Sequence, residues 1–499
     1  MSIVYVLIFT LILIKVIQYV VFRMTCRFPP GPRGIPFFGN MFKAIGTSRL
    51  TENVELANTY GDMHTTTTLG FTQVVVNSMD ILQEVDLEHS DAFNHRPVWI
   101  EALVNFSPGI VFKGVDKFEE NKKFVLKNLK NHGMGKSEME LKILNEIEDL
   151  MMFIERNEPL NPHTIFETFS SNVICYLCFS KSWPYENKER NHYNEALKQM
   201  HDLSRILLLA DLVPVLRWLP WFRSKYQEYN NNVNILRELG RRTLKARQSG
   251  GETAESFDLT DDFLASQAFH PSKKAIKNFE EIAQDMFTAG TLTTAATLTF
   301  CIIQLVNKPI IQDKLFDEIE KHLGEVKDPT MADVQHLPYM ECFIHEILRF
   351  YPAVPFIPHA TYKDTTVRGY HLPANLSVSI NCISINNNPK IFPNPKEFRP
   401  ERWLDKEGKF KTKMKDHIIT FGKGKRDCVG KSLARMELFL VLVKLVQRYK
   451  LAVPRGEQCP SCIPIFGSAT FTPVEFRLEA TIRKPNNSKN TCESMVTFY

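Results

Sequence analysis

The chain has 499 residues, with 61 Lys and Arg against 56 Asp and Glu and a formal net charge of +5. So small an excess argues against a nucleic-acid partner, and the basic residues matter only where they cluster. Ten cysteines are scattered too widely for a disulfide framework, and Cys459-Pro-Ser-Cys462 lacks the second pair or the histidines of a zinc site. Reduced cytosolic thiols are expected, so the sequons at Asn105, Asn375 and Asn486 would not meet the glycosylation machinery.

Residues 2–22 (SIVYVLIFTLILIKVIQYVVF) form an apolar run interrupted by Lys15 and Gln18. As a helix rising about 1.5 Å per residue it spans about 30 Å, enough to cross a bilayer. No cation precedes it and no small-x-small cleavage site follows, which disfavours a removed signal peptide. Arg23, Arg27 and Arg33 at its far end place the rest of the chain in the cytosol, and Lys15 has to snorkel to that side. Residues 23–40 are basic and proline-rich; Pro29, Pro30, Pro32 and Pro36 fix φ and remove donors, so the stretch reads as a stiff hinge. A catalytic domain is expected over 41–482, followed by a polar tail over 483–499.

Alternating runs such as Thr72-Gln73-Val74-Val75-Val76 predict a small sheet within 60–90. Helical patterns dominate from about 117 to 350, with Cys175-x-x-Cys178 in an apolar run that reads as core and Gln248–Glu255 as a polar surface loop. Prolines then punctuate 352–400, where Ser377-Val378-Ser379-Ile380 predicts a short strand. The fold class expected is mainly α with a minor β region.

Three stretches carry candidate chemistry. Phe287-Thr288-Ala289-Gly290-Thr291-Leu292-Thr293-Thr294 lies inside a predicted helix over 273–306. Gly290 in mid-helix costs about 1 kcal/mol against Ala, so something needs its missing Cβ. Either a flat ligand and dioxygen lie against it, or a second helix packs closely while the threonines bond back to carbonyls. Pro338–Arg349 reads as one helix with Glu346 and Arg349 on a shared face, followed downstream by Pro400-Glu401-Arg402. Last, Phe421-Gly422-Lys423-Gly424-Lys425-Arg426-Asp427-Cys428-Val429-Gly430 holds a thiol in a glycine-interrupted loop ahead of a helix. Arg426 and that helix's N-terminus favour a thiolate, which would be a nucleophile or a metal ligand.

The loop pattern F-x-x-G-x-R-x-C-x-G resembles the cysteine loop of cytochrome P-450 haem-thiolate enzymes, and residues 28–40 resemble the proline-rich hinge of their microsomal members. The resemblance spans nearly the whole chain and is closest to animal microsomal enzymes of the family-2 type, through His132-Gly133-Met134-Gly135-Lys136, Phe343–Ile347 and Pro358-His359. It implies the P-450 fold behind a transmembrane anchor and haem b as cofactor. Cys428 is implied as the axial iron ligand, with Phe421, Gly430, Ala289 and Gly290 against the haem and Thr293 as the catalytic alcohol. Arg96, Lys122, His359 and Arg426 are the implied partners of the haem carboxylates. Phe118 and Lys122 stand where the family has W-x-x-x-R, and a lysine lacks the guanidinium fork. Glu346, Arg349 and Arg402 are implied to form a buried structural ion pair supporting the cysteine loop. The family's A-G-x-[D/E]-T-[T/S] pairs an acid with an alcohol for proton relay; here Leu292 takes the acid's place.

The implied function is insertion of one oxygen atom from O2 into a lipophilic molecule, whether steroid, fatty acid, terpenoid or xenobiotic. Electrons would come from NADPH through NADPH-cytochrome P-450 reductase, with cytochrome b5 as a second donor, at the endoplasmic reticulum membrane. Lys122, Lys123, Lys127 and Lys130 with Lys423, Lys425, Lys431 and Arg435 form the expected docking patch. By analogy, substrate contacts fall at 97–112, 203–223, 354–358 and 465–471. Two alternatives stay open: a haem-thiolate isomerase or dehydratase that rearranges a peroxide without a reductase, favoured by Leu292, and a non-catalytic haem-binding paralogue.

Overall fold

In the computed structural model, residues 10, 13–14, 16–18, 20–22, 25–35, 38–40, 49–97, 100–134, 137–157, 159–250, 258–324, 326–466 and 469–483 are described. The described positions between 10 and 22 are helical, and Leu13, Ile17 and Val21 are about half exposed. Lys15, Arg23, Gly135, Lys136, most of the 248–255 loop and the tail from 484 lie outside the described residues.

The globule begins with α1 (Arg49–Tyr60), β1 (Met63–Thr68) and β2 (Phe71–Val76), the strand pair expected within 60–90. Helices then follow almost without interruption: α2 (Met79–Glu88), α3 (Ser90–Phe93), α4 (Glu101–Phe106), α5 (Val115–Asn131), α6 (Ser137–Arg156), α7 (Pro162–Phe179), α8 (Lys188–Leu212), α9 (Pro220–Gln248), α10 (Leu259–Ser266), α11 (Lys273–Asn307), α12 (Pro309–Leu323) and α13 (Pro338–Phe350). Their starts follow local chemistry. Proline occupies the first turn of α7, α9, α12 and α13, where its missing N–H costs nothing. Asn161, Asn187, Asp258 and Ser272 accept bonds from first-turn amides of α7, α8, α10 and α11.

After α13 come β3 (Phe356–Ala360), β4 (Thr365–Val367), β5 (Tyr370–Leu372), β6 (Ser377–Asn381) and α14 (Cys382–Asn386). The main sheet has the order β1-β2-β6-β3, with β2 and β6 parallel and the outer pairs antiparallel. Irregular chain then leads through the cysteine loop into α15 (Lys431–Arg448), β7 (Tyr449–Ala452), β8 (Ile465–Phe466), β9 (Phe471–Thr472) and β10 (Glu479–Ile482).

The core is built chiefly by α6, α7, α11 and α15, with Cys175 and Cys178 buried in it as expected. By length and composition α11 could cross a bilayer, but its burial makes it the central helix of the bundle. It lies hard against α7: a Cβ on Gly290 would sit 2.5 Å from the Ile174 side chain. Close helix packing therefore accounts for this glycine's missing Cβ, the second of the two readings that the sequence left open. The back-bonded threonines of that packing arrangement are also present: Thr293, Thr297 and Thr299 donate to the carbonyls of Ala289, Thr293 and Ala295 at 2.7, 2.8 and 2.7 Å.

Candidate active site

The cysteine loop is a folded-back strap. Gly422 and Gly424 both take φ of +69°, a region open to glycine, and a Cβ on Gly424 would meet the Asp86 carboxylate at 2.9 Å. The Cys428 amide closes the strap by donating to Phe421 O at 2.8 Å, and Gly430 caps α15. Cys428 lies deep among protein atoms, yet its side chain is open to a water-sized sphere. A residue that is both deep and accessible lines an internal cavity. Burial raises the thiol's pKa; the Gly430 amide and the charges of Lys122 and Lys431 oppose that rise. Arg426, expected to favour the thiolate, is turned elsewhere.

Arg426 is buried and lies flat on the Phe118 ring, 3.4 Å from its centre. Its nitrogens donate to Asn94 O, Asn94 Oδ1, Ile110 O and Lys113 O at 2.9–3.3 Å. Arg96, also buried, donates to Val111 O at 2.9 Å and to Pro358 O. His359 bonds through Nδ1 to Phe93 O at 3.0 Å. Among the described residues neither guanidinium has a carboxylate within ion-pair distance. The cost shows in their pKa values: burial, then the neighbouring Arg96, drops Arg426 to about 8, and burial drops Arg96 to about 10. Burial and then Arg96 hold His359 down at about 3. Two buried guanidiniums with an imidazole beside them and no carboxylate partner among the described residues would suit a dicarboxylate, and that donor set fits the two carboxylates of a haem.

Lys122 does not join this cluster. Its Nζ donates to Lys425 O at 2.7 Å, Asp427 Oδ1 at 2.6 Å and Asp427 O at 3.3 Å. These bonds fasten α5 to the cysteine loop. On α11 Ala289, Leu292 and Thr293 are half-buried, and no acid adjoins the threonine in sequence.

Beneath the loop the expected ion pair is present. Glu346 receives Arg349 Nε and Nη2 at 2.8 Å each and Arg402 Nε at 3.0 Å, and all three side chains are buried. Burial raises the Glu346 pKa, but bonds and charge from Arg349, the Arg399 amide and Arg402 outweigh it and the net direction is down. Trp403 Nε1 adds a fourth partner at 2.9 Å that sequence reasoning did not name. The platform reaches the loop through Asn386, which accepts Ile419 N at 3.0 Å, and Thr420, which donates to Leu348 O at 2.6 Å.

Asp285 was also missed. From α11 its carboxylate accepts the amides of Gly109, Ile110 and Val111 at 2.9, 2.6 and 2.8 Å. Burial pushes its pKa up to about 6 against those three bonds. The same segment's carbonyls receive Arg96 and Arg426, so residues 109–113 connect α11 to the cation cluster. An acid at the edge of the apolar part of the helix was the available signal; its partners, 174–176 residues earlier in the chain, were not legible.

The expected substrate-contact stretches touch one another in pairs: Phe356 packs on Phe466, and Ala102 N donates to Asp211 at 2.8 Å. His201, just ahead of the second stretch, reaches Thr470 at 3.1 Å and the Phe106 ring. On the outer face Phe118, Glu119, Lys122, Lys123, Leu126, Lys127, Lys130 and Lys425 line a cleft of about 550 Å³. Arg435 is not free for that face, being paired with Glu341 at 2.6 Å.

The comparisons agree with this geometry. A family model described as Cytochrome P450 matches residues 29–479. Cytochrome P450 2C44 of Mus musculus is 32% identical over 436 residues, covering 85% of this chain and 87% of its own. Cytochrome P450 2C26 of Mesocricetus auratus is 29% identical across 91% of this chain and 94% of its own, and cytochrome P450 2B19 of Mus musculus 29% across 91% and 93%. A thiol at the foot of α15, a buried receptor for two carboxylates and a family match across most of the chain all lead to one assignment: the chain belongs to the cytochrome P450 monooxygenases.

Proposed function

We infer that the protein is a microsomal monooxygenase that inserts one atom of O2 into a steroid, fatty acid, terpenoid or xenobiotic. Residues 2–22 would anchor it in the endoplasmic reticulum membrane, with the domain 41–482 cytosolic. NADPH electrons would arrive from a reductase, or from cytochrome b5, whose acidic surface fits the lysine cleft. The observation that carries the reading is the accessible thiol of Cys428, together with Arg96 and Arg426, buried with no carboxylate partner among the described residues.

Bound haem would supply oxygen activation, which a thiolate ligand promotes. Cys428 would supply that thiolate. Arg96 and Arg426 would hold the haem's two carboxylates. His359, its Nδ1 already committed to Phe93 O, donates to a carboxylate only as the imidazolium, a charge that a bound dianion stabilises. Thr293 keeps its proton on Ala289 O and offers oxygen lone pairs towards the cavity, while Leu292 can neither hold nor pass a proton. The phenylalanine-rich roof holds a lipophilic ligand and keeps bulk water out.

The test is reconstitution with reductase and NADPH against a panel of lipids, read as NADPH consumed and product formed. The ferrous–CO form should give the red-shifted thiolate band and Cys428→Ser should lose it; retention of the band would assign another cysteine as ligand. Leu292 favours the second reading, a reductase-independent isomerase or dehydratase acting on a peroxide. A monooxygenase should form more product per NADPH after Leu292→Glu and less after Thr293→Ala. An isomerase should turn over a lipid hydroperoxide without NADPH and gain nothing from the new acid.

A further inference from the structure

A cavity of about 170 Å³ lies between α6, α7 and the loop that follows α7. One stripe of α6 supplies Met139, Ile143, Glu146 and Asp149, residues three and four apart that share a face. Asn172 and Val173 of α7 and Ser182 of the loop close the other side. The lining is thus apolar at Met139, Ile143 and Val173 and anionic at Glu146 and Asp149.

Glu146 is only 7% exposed, and its carboxylate accepts Asn172 Nδ2 at 2.8 Å and Ser182 Oγ at 3.1 Å. Both donors are neutral, and among the described residues no cation stands within ion-pair distance of it. Lys142, one turn away on α6, is paired with Glu138 at 3.1 Å and lies over the Tyr176 ring. Arg190 feels the Glu146 charge but is held by Thr168, Tyr185 O and Asn191. Burial, against the bonds from Asn172, Tyr185 and Ser182, raises the Glu146 pKa from 4.5 to about 7, and Asp149 adds to the rise. A carboxylate accepts at about four lone-pair sites, so two or three donors leave it unsaturated. A buried anion that faces a cavity without a cation of its own is stabilised by one brought in. Volume and walls decide which kind. About 150 Å³ suffices for a benzene ring, whereas a bare metal ion leaves the apolar walls uncovered. A planar amidinium or guanidinium meets a carboxylate through two parallel N–H bonds, and a short apolar body fills the rest.

We propose that this cavity binds a small organic cation of the amidine or guanidine class, held by Glu146. Asp149, exposed beside it, attracts the cation from water. Neither Cys428 nor Thr293 lines the cavity, so the site stands apart from the oxygen chemistry proposed above.

The experiment titrates benzamidine, cationic at neutral pH, into the full-length, haem-loaded protein, followed by calorimetry and by the haem spectrum. The wild type should bind one equivalent with a Kd of about 1 mM or tighter and leave the haem spectrum unshifted. Benzamide, close in shape but uncharged, should bind at least about tenfold more weakly. Glu146→Gln keeps an acceptor for Asn172 and should fold, yet weaken benzamidine by about tenfold or more. Ser182→Arg brings a guanidinium of the chain's own to a carboxylate that Ser182 Oγ already reaches at 3.1 Å. That variant should melt at a higher temperature than the wild type and no longer bind benzamidine. Absence of binding to the wild type would overturn the site, and so would a shifted haem spectrum, which places the ligand at the iron. Full affinity for benzamide, or for benzamidine in either folded variant, would overturn it equally.

Discussion

Two pairs of buried arginines, one on the platform beneath the cysteine loop and one that includes Arg426 of the loop itself, have opposite electrostatic character. Arg349 and Arg402 share Glu346, with Trp403 and the Arg399 amide completing the carboxylate's partners. Among the described residues Arg96 and Arg426 donate only to carbonyl oxygens and an amide oxygen, and burial lowers both pKa values. The first pair is complete within the polypeptide and supports the loop's platform. The second, on the function proposed above, would take its anion from the bound cofactor. Burial alone does not separate structural from binding arginines; the presence of an internal counter-charge does.

The sharpest way to break this comparison is Glu346→Ala. It leaves two buried guanidiniums without an anion and should cost about 3–5 kcal/mol, seen as loss of folded, haem-bearing protein in urea titrations. Arg426→Met should act in the opposite sense before cofactor is bound. Apoprotein stability should hold or rise, while haem transfer to apomyoglobin should speed up about ten- to a hundredfold, the value of a charged hydrogen bond. Equal destabilisation of apoprotein by both changes would dissolve the distinction.

Glu437 offers a third treatment of a buried charge. It is fully buried in the bundle with Thr294 as its hydrogen-bond partner, and burial raises its pKa from 4.5 to about 8. Across that window the folded state keeps a proton that the unfolded state has lost. Its contribution is therefore complete below pH 4.5 and is lost as pH rises towards 8, at up to about 1.4 kcal/mol per pH unit. Glu437→Gln should flatten the stability–pH profile between those limits; an unchanged slope would place the proton elsewhere. The smallest effect belongs to exposed cations, which water already compensates. Lys123→Glu with Lys130→Glu should slow reduction by the reductase a few-fold at low salt and hardly at all at high salt, with the haem spectrum unaltered.

Legibility in the sequence followed the range of each interaction. The helices, the β1–β2 pair and the loop that presents Cys428 depend on neighbouring residues, and periodicity, prolines and glycines announced them. Glu346 with Arg349 is a one-turn pair, and a known family pattern supplied Arg402. Asp285, Asn94, Trp403 and Asp211 act across long stretches of chain, and nothing local marks their partners. Lys122 was placed by analogy with an arginine, yet its single charge settles on Asp427. Gly290 was ambiguous in the sequence because a missing Cβ looks the same whether a ligand or a neighbouring helix needs the space.

That glycine also bears on how such an enzyme can diversify. With Ile174 filling the place of a Cβ, α11 cannot roll about its axis or slide without displacing α7, and α7 is embedded in the bundle. The wall that carries Thr293 is thus held in fixed register, like a shaft in a tight bearing. New substrate shapes cannot be accommodated by moving that wall. They have to be met by α4, α8 and the β8–β9 turn, whose residues can change without disturbing the shaft, so mutations that alter substrate preference should accumulate on one side of the cavity and be purged from the other.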